Sequence, residues 1–284
     1  MKFTGTDKYY LNPELEAIVN IAIAMEKPLL LTGEAGTGKT QLAFEISRDL
    51  GMPIEVLRAK STIKGEEVCY VQDTVLRLND ARFGPGNTGR DVDRFFDYVI
   101  WGPIGRAFRS EQRVVLLLDE IDKTESDVQD NLLDVLEECE FTIREVNQTI
   151  RAQQRPVILI TSNAKRELSD PFLRRCFCHH IPFPSAEEMR QIVALHYPRI
   201  EGTLLEAALN IFYQLREQGF EKAPATSELL DWLGALQASG AELPSGGLRA
   251  KGEVPFLGTL LKRTGDILDF RKGPRPAQRR PDWN

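Results

Sequence analysis

Gly33-Glu34-Ala35-Gly36-Thr37-Gly38-Lys39-Thr40 is the stretch that decides the fold. Its outer glycines stand five positions apart, and a lysine and a threonine follow the second at once, the spacing of a phosphate-binding loop. Each residue type has a physical reason. Glycine lets the backbone curl until successive N–H groups face one anion. A helix starting at Lys39 aims its positive end at the same anion. Lys39 places a point charge on β- and γ-phosphates, and Thr40 supplies a hydroxyl to Mg²⁺. The flanks agree. Residues 27–32 form a short apolar run that reads as a buried strand, and Lys39–Leu50 reads as a helix closed by Gly51. The expected nucleotide-binding set is Gly33, Glu34, Ala35, Gly36, Thr37, Gly38, Lys39, Thr40 and Gln41, with ATP and Mg²⁺ as the cofactors.

Val114-Val-Leu-Leu-Leu-Asp119-Glu120 is the matching second half. Continuous apolarity without alternation marks a strand buried on both faces of a parallel sheet. At its end Asp119 is placed to hold Mg²⁺ together with Thr40. Glu120, one residue on, can polarise an attacking water. That acid separates a hydrolase from a small-molecule P-loop kinase, which needs no water-activating carboxylate.

Outward from these two anchors the chain alternates strand and helix. Residues 12–24 carry apolar side chains at helical spacing behind Asn12-Pro13. Ile54–Arg58 and Val157–Thr161 read as strands, Ser126–Glu138 as an amphipathic helix, and Leu168–Arg175 as a short one. Cys178–Phe183 reads as the last strand. Val68–Leu78 has strand character, residues 61–90 read as an insertion with a hairpin or irregular loop, and Val99–Ser110 reads as a helix. Residues 141–151 alternate around Val146-Asn147-Gln148, as a hairpin does. The fold class expected is α/β, a doubly wound, mostly parallel sheet of the P-loop NTPase kind followed by a smaller helical domain. The expected boundaries are 1–184 for the core, 185–270 for the helical lid, and 271–284 for a basic, proline-rich flexible tail.

Bulk properties narrow the function. The chain has 284 residues, 42% hydrophobic and 27% charged, with a net charge of −6. Nothing global draws it to nucleic acid. No apolar run approaches the roughly 20 residues that span a bilayer. No signal-peptide core follows the amino terminus, so the cytoplasm is the expected compartment. Cys69, Cys139, Cys176 and Cys178 make no disulfide framework for a chain this long. Cys176-Phe177-Cys178-His179-His180 lacks the second half of a zinc site and reads as a strand.

Four motifs in order resemble those of the AAA+ ATPases, and most closely the MoxR branch. They are the Gly33–Thr40 loop, Leu-Leu-Leu-Asp119-Glu120-Ile-Asp-Lys123, Thr161-Ser162-Asn163-Ala164, and Asp170-Pro171-Phe172-Leu173-Arg174-Arg175. The resemblance covers roughly residues 10–240. It implies that Asn163 is a sensor polar group beside the γ-phosphate or its water. It implies that Arg174 or Arg175, with Arg175 the first choice, reaches the neighbouring subunit's γ-phosphate in a ring, expected to be a hexamer. It further implies a chaperone-like role in remodelling or maturing a partner protein complex, with a von Willebrand factor A domain protein as the usual partner. One position departs from the family pattern. Where a lid helix often starts with an arginine that senses nucleotide, this chain has Ser227-Glu228, with Lys222 as a possible substitute. The rival readings are an AAA+ motor or loader on nucleic acid, an ATP-dependent assembly switch with little turnover, and, third, a P-loop kinase.

Overall fold

The computed structural model describes residues 2–63, 65, 67–164, 166, 168–243 and 254–272. The chain divides into two compact units. One comprises Met1–Glu34 with Gly38–Phe183, and the other Ala35–Thr37 with the chain from Pro184 onward.

In the first unit, helix α1 (Pro13–Met25) starts at Asn12, whose side chain caps Leu15 N–H, with Pro13 at the first helical position. Strand β1 (Leu29–Thr32), helix α2 (Lys39–Leu50) and strand β2 (Ile54–Arg58) follow. Then come β3 (Tyr70–Gln72), α3 (Thr74–Phe83), β4 (Val99–Trp101), α4 (Pro103–Arg109) and β5 (Val115–Asp119). The unit is completed by α5 (Ser126–Glu138), the hairpin β6 (Glu140–Ile143) and β7 (Gln148–Arg151), then β8 (Val157–Ser162), α6 (Asp170–Arg175) and β9 (Phe177–His180).

Five of these strands form one sheet in the order β2-β5-β8-β1-β9, every neighbouring pair parallel. The apolar runs are explained by the pleat. Leu30, Leu116, Leu118, Ile158 and Ile160 face one core cluster. Their alternates Leu29, Leu31, Val115, Leu117 and Leu159 face the other. Both faces are covered, so each strand is apolar throughout. The carboxyl ends of β1, β5 and β8 converge where the strand order reverses, the place where such sheets bind ligands.

The insertion departs from expectation. Only Tyr70–Gln72 of the strand-like stretch is a strand. Thr74–Phe83 is a helix because Asp73 accepts from Leu76 N–H and caps it. The partner of β3 is β4, antiparallel, with Val71 opposite Ile100, so residues 99–101 are strand and not helix. The helix begins only at Pro103. Gly102 and Gly105 let the Val68–Cys69 backbone lie against it, since a Cβ on either would meet those carbonyl oxygens at 2.3 and 2.1 Å. Those carbonyls in turn accept from Ile104 and Gly102 N–H, satisfying donors that a helix start leaves open.

The second unit is helical: α7 (Ala186–His196), α8 (Gly202–Arg216), α9 (Thr226–Ser239), α10 (Leu257–Leu260) and α11 (Thr264–Lys272). Ser185 and Glu188 form a capping box at α7. Trp232 is fully buried, its indole N–H donating to Pro255 C=O. Arg271 and Lys272, expected in the tail, are the last turn of α11. Residues 273–284 of that tail lie outside the described residues.

Candidate functional site

The chain leaves β1 at Thr32 and turns through Gly36 and Gly38, at φ +81° and +87°, a backbone that L side chains resist. Lys39 follows as the first residue of α2 and is 5% exposed. Its ammonium donates to Gly33 C=O (2.9 Å) and Glu34 C=O (2.6 Å), bridging the loop's own carbonyls. Burial pulls its pKa below the usual lysine range, while Asp119, Asp122, Glu120 and Glu34 pull it upward. A phosphate in the loop would relieve the desolvated cation.

The end of β5 meets this loop through hydroxyls. Thr40 Oγ1 donates to Asp119 Oδ1 at 2.6 Å, and Thr161 Oγ1 donates to the same oxygen at 2.8 Å. Thr161 also accepts from Glu120 N–H at 2.8 Å. Thr161 therefore fixes both acids at once. The sequence motif Thr161–Ala164 includes it, but its role was not legible there because it carries no charge. Its only signal was a hydroxyl at the carboxyl end of a buried strand. Glu120 sits in the left-handed region at φ +57°, a conformation that costs a non-glycine residue roughly 1–3 kcal/mol and clusters at functional sites. Its Oε1 accepts from Asn163 Nδ2 at 2.9 Å, and its Oε2 is ion-paired with Lys123. Asn163 is oriented in turn by Asp122, 2% exposed, which accepts from Asn163 N–H at 3.3 Å. Thus the structure brings Lys39, Thr40, Asp119, Glu120 and Asn163 together.

Thr40 and Asp119 fit a magnesium ion chemically. They converge a hydroxyl and a carboxylate, hard oxygen donors of the kind Mg²⁺ prefers. Among the described residues no group of three or more His, Cys, Asp or Glu side chains is placed to hold a metal. Magnesium usually keeps several waters, so nucleotide phosphates and water would complete the coordination.

The two arginines are not equivalent. Arg175 is tied to α5, its Nε donating to Glu137 at 2.6 Å with Asp134 at 3.6 Å. Arg174 is exposed and has no ion pair among the described residues. In the helical unit Lys222 donates to Glu228 at 3.0 Å. The acid that stands where a sensing arginine was expected is thus engaged with the proposed substitute.

A second group went unseen in the sequence. Glu45 of α2, fully buried, accepts from Thr6, Gln41 and Arg48. This anchors the amino-terminal segment, whose Tyr9 ring lies where a Cβ on Gly38 would meet it at 3.1 Å. The arm that precedes α1 is therefore strapped to the phosphate-loop helix.

A parallel sheet with a glycine loop after β1, an acid pair after β5 and a polar tip after β8 defines the AAA P-loop NTPase fold. A model of the AAA domain, dynein-related subfamily, matches residues 28–176, more than half of the chain, and the chain belongs to that family. No curated protein matches it. Among solved structures it is similar to a proline-to-glycine mutant of RuvB from Thermotoga maritima. The identity is 17% over 84% of this chain and 67% of that one, with a TM-score of 0.53. It is also similar to NtrX from Brucella abortus in complex with ATP. There the identity is 15% over 84% of this chain and 55% of that one, with a TM-score of 0.50. At these identities the likeness is one of fold.

Proposed function

We propose that this chain is a MoxR-type AAA+ ATPase that binds Mg-ATP at the subunit interfaces of a ring. Hydrolysis there drives chaperone-like remodelling or maturation of a partner protein complex. The observation that carries the hydrolytic part is the continuous hydrogen-bonded set Thr40–Asp119–Thr161–Glu120–Asn163, closed against a buried Lys39. The ATP in the NtrX structure supports the choice of nucleotide. In this reading residues 1–184 are the nucleotide-binding core and 185–270 the lid. Lys39 neutralises phosphate charge. The Glu120 carboxylate takes the proton of the attacking water, and the Asn163 amide orients that water or the γ-phosphate. Thr40 and Asp119 would hold magnesium, which would supply charge neutralisation. In this reading the chain works in the cytoplasm, and its partner is a von Willebrand factor A domain protein, the usual partner in the MoxR family it resembles.

The arginine from the next subunit is Arg174 in this reading. Its guanidinium is exposed and has no ion pair among the described residues, whereas Arg175 would first have to leave Glu137 and Asp134. The test is ATP turnover per protomer across protein concentration for wild type, Glu120→Gln, Arg174→Ala and Arg175→Ala. Specific activity is expected to rise with concentration. Glu120→Gln should abolish turnover while keeping ATP binding. Arg174→Ala should lower turnover on the order of a thousandfold, as loss of an arginine finger does. Mixing these two variants should restore part of it. Activity that is flat with concentration and survives both arginine substitutions would remove the ring-interface site.

A further inference from the structure

Lys123 has no role in the reading above, yet it makes the only ion pair that a described residue forms with Glu120. The segment that presents it is rigid. Ile121–Lys123 is a single 3-10 turn. Ile121, Asp122, Thr124 and Gln129 around it are all 3% exposed or less. Thr124 Oγ1 and its N–H both donate to Ile121 C=O, and Gln129 Nε2 donates to Thr124 C=O. From this buried turn only the Lys123 side chain reaches out, 46% exposed, and it folds back onto Glu120 Oε2. The other ion pairs at this spacing among the described residues, Arg48–Glu45, Arg190–Glu187 and Lys272–Asp269, lie on regular helices. This one lies between the end of β5 and α5, on the acid that is to act as base.

We propose that Lys123 is a clamp on Glu120: a positioning residue whose ammonium holds the carboxylate in an ion pair and so restrains turnover in the resting chain. The proposal rests on the reading of Glu120 as the base. The chemistry is direct. With Oε1 taken by Asn163 and Oε2 by Lys123, both oxygens are engaged before any water arrives. A carboxylate with both oxygens paired cannot take a proton from water until one partner leaves. The hydrogen bond to Glu120 raises the Lys123 pKa above the usual range, with smaller upward pulls from Glu120, Asp122 and Asp119 charge. The amine therefore stays charged at neutral pH, and the clamp is released by displacement of the side chain, not by titration.

The experiment has two arms. In steady-state ATP hydrolysis by the full chain, Lys123→Met should raise kcat roughly two- to fivefold with KM for ATP nearly unchanged, the range expected for a half-exposed ion pair. Lys123→Arg, which keeps the cation, should hold the slow rate. The Lys123→Met, Glu120→Gln double variant should be inactive. A kcat that is unchanged or lower in Lys123→Met overturns the clamp. The second arm needs no turnover. Acetylation of Lys123 by a succinimidyl ester, followed by mass spectrometry, should be faster in Glu120→Gln than in wild type. Equal rates overturn the clamp. If instead Glu120→Gln hydrolyses ATP like wild type, the base assignment fails, and the acetylation arm still reports on the ion pair.

Discussion

The parallel sheet and the insertion between β2 and α4 solve the same problem in opposite ways. In the sheet, stability comes from apolar side chains far apart in sequence. Leu31, Leu117 and Leu159 sit on three different strands in one buried cluster. In the insertion the centre is polar. Asp80, 7% exposed, accepts from Arg90 Nε at 2.8 Å and from Tyr98 OH at 3.0 Å, and Arg90 lies over the Tyr98 ring. Its apolar groups divide: Val68, Cys69, Tyr70 and Phe95 join the core cluster under the sheet, whereas Val71, Val75, Leu78, Phe83, Phe96 and Ile100 are exposed. A sheet built the first way can hold a strained Glu120 and a buried Lys39 in place. Around Asp80 the second kind of segment adds a few directional bonds to its share of that core, so residues 74–98 are expected to open at lower cost than the sheet.

The largest break of this contrast is a cavity in the sheet. Leu117 is fully buried at the centre of β5, with neighbours on both sides. Leu117→Ala should cost about 2–5 kcal/mol in chemical denaturation. It should loosen the Asp119–Thr40 contact two residues on, and so weaken ATP binding as well as stability. A loss of under about 1 kcal/mol would mean that the sheet collapses around the gap and is less rigid than its packing suggests.

The same contrast explains what could be read from the sequence. Buried parallel strands announce themselves as apolar runs, and a phosphate loop as glycines at fixed spacing, because both constraints are local. Lys39, Asp119 and Glu120 stood out for that reason. Thr161 did not, since its role exists only once β8 lies beside β5. Lys123 closed the motif that begins at the β5 strand, but nothing in the sequence paired it with Glu120. Glu45 was silent because its hydrogen bond from Thr6 joins the amino-terminal arm to a helix more than thirty residues away. In the insertion the errors had a physical source. Val99-Ile-Trp101 has the β-branched and aromatic character of a strand, but its partner is Tyr70–Gln72, too remote for a pattern to show. The boundary signal was Gly102-Pro103, which starts a helix there and not earlier. Residues 74–83 became helix through one cap, Asp73, outweighing the strand-like character of Val75 and its neighbours. The ion pairs that count against Arg175, the first choice from sequence, were not legible there, because Glu137 and Asp134 belong to another helix.

The insertion gives the smaller effects. The Asp80 pKa is held below the usual carboxylate range, first by the Arg90 hydrogen bond and then, against the cost of burial, by Tyr98 and the Arg90 charge. A depressed carboxylate contributes stability above its unfolded pKa and loses it as pH falls through the folded value. Amide exchange in residues 74–98 should therefore accelerate beyond its intrinsic pH trend as Asp80 protonates, while the sheet stays protected. Asp80→Asn should remove that acid step and open the same residues at neutral pH. If the sheet amides respond equally, the two regions are one cooperative unit.

The smallest expected effect is the sharpest test of which groups hold the insertion. Val75, Leu78 and Phe83 lie on one face of α3 at 69%, 54% and 85% exposure. Were they core residues seen from outside, replacing them would cost several kcal/mol. Their exposure says that they contribute almost nothing to the folded chain alone. Val75→Ser, Leu78→Ser and Phe83→Ser should each change stability by no more than about 0.5 kcal/mol. Helix propensity differences among these residues are of that size or less, so a change in melting temperature should be small and of either sign. A large loss for any one of them would show that α3 depends on apolar packing after all. The insertion would then be held as the sheet is, and the polar triad of Asp80, Arg90 and Tyr98 would be secondary.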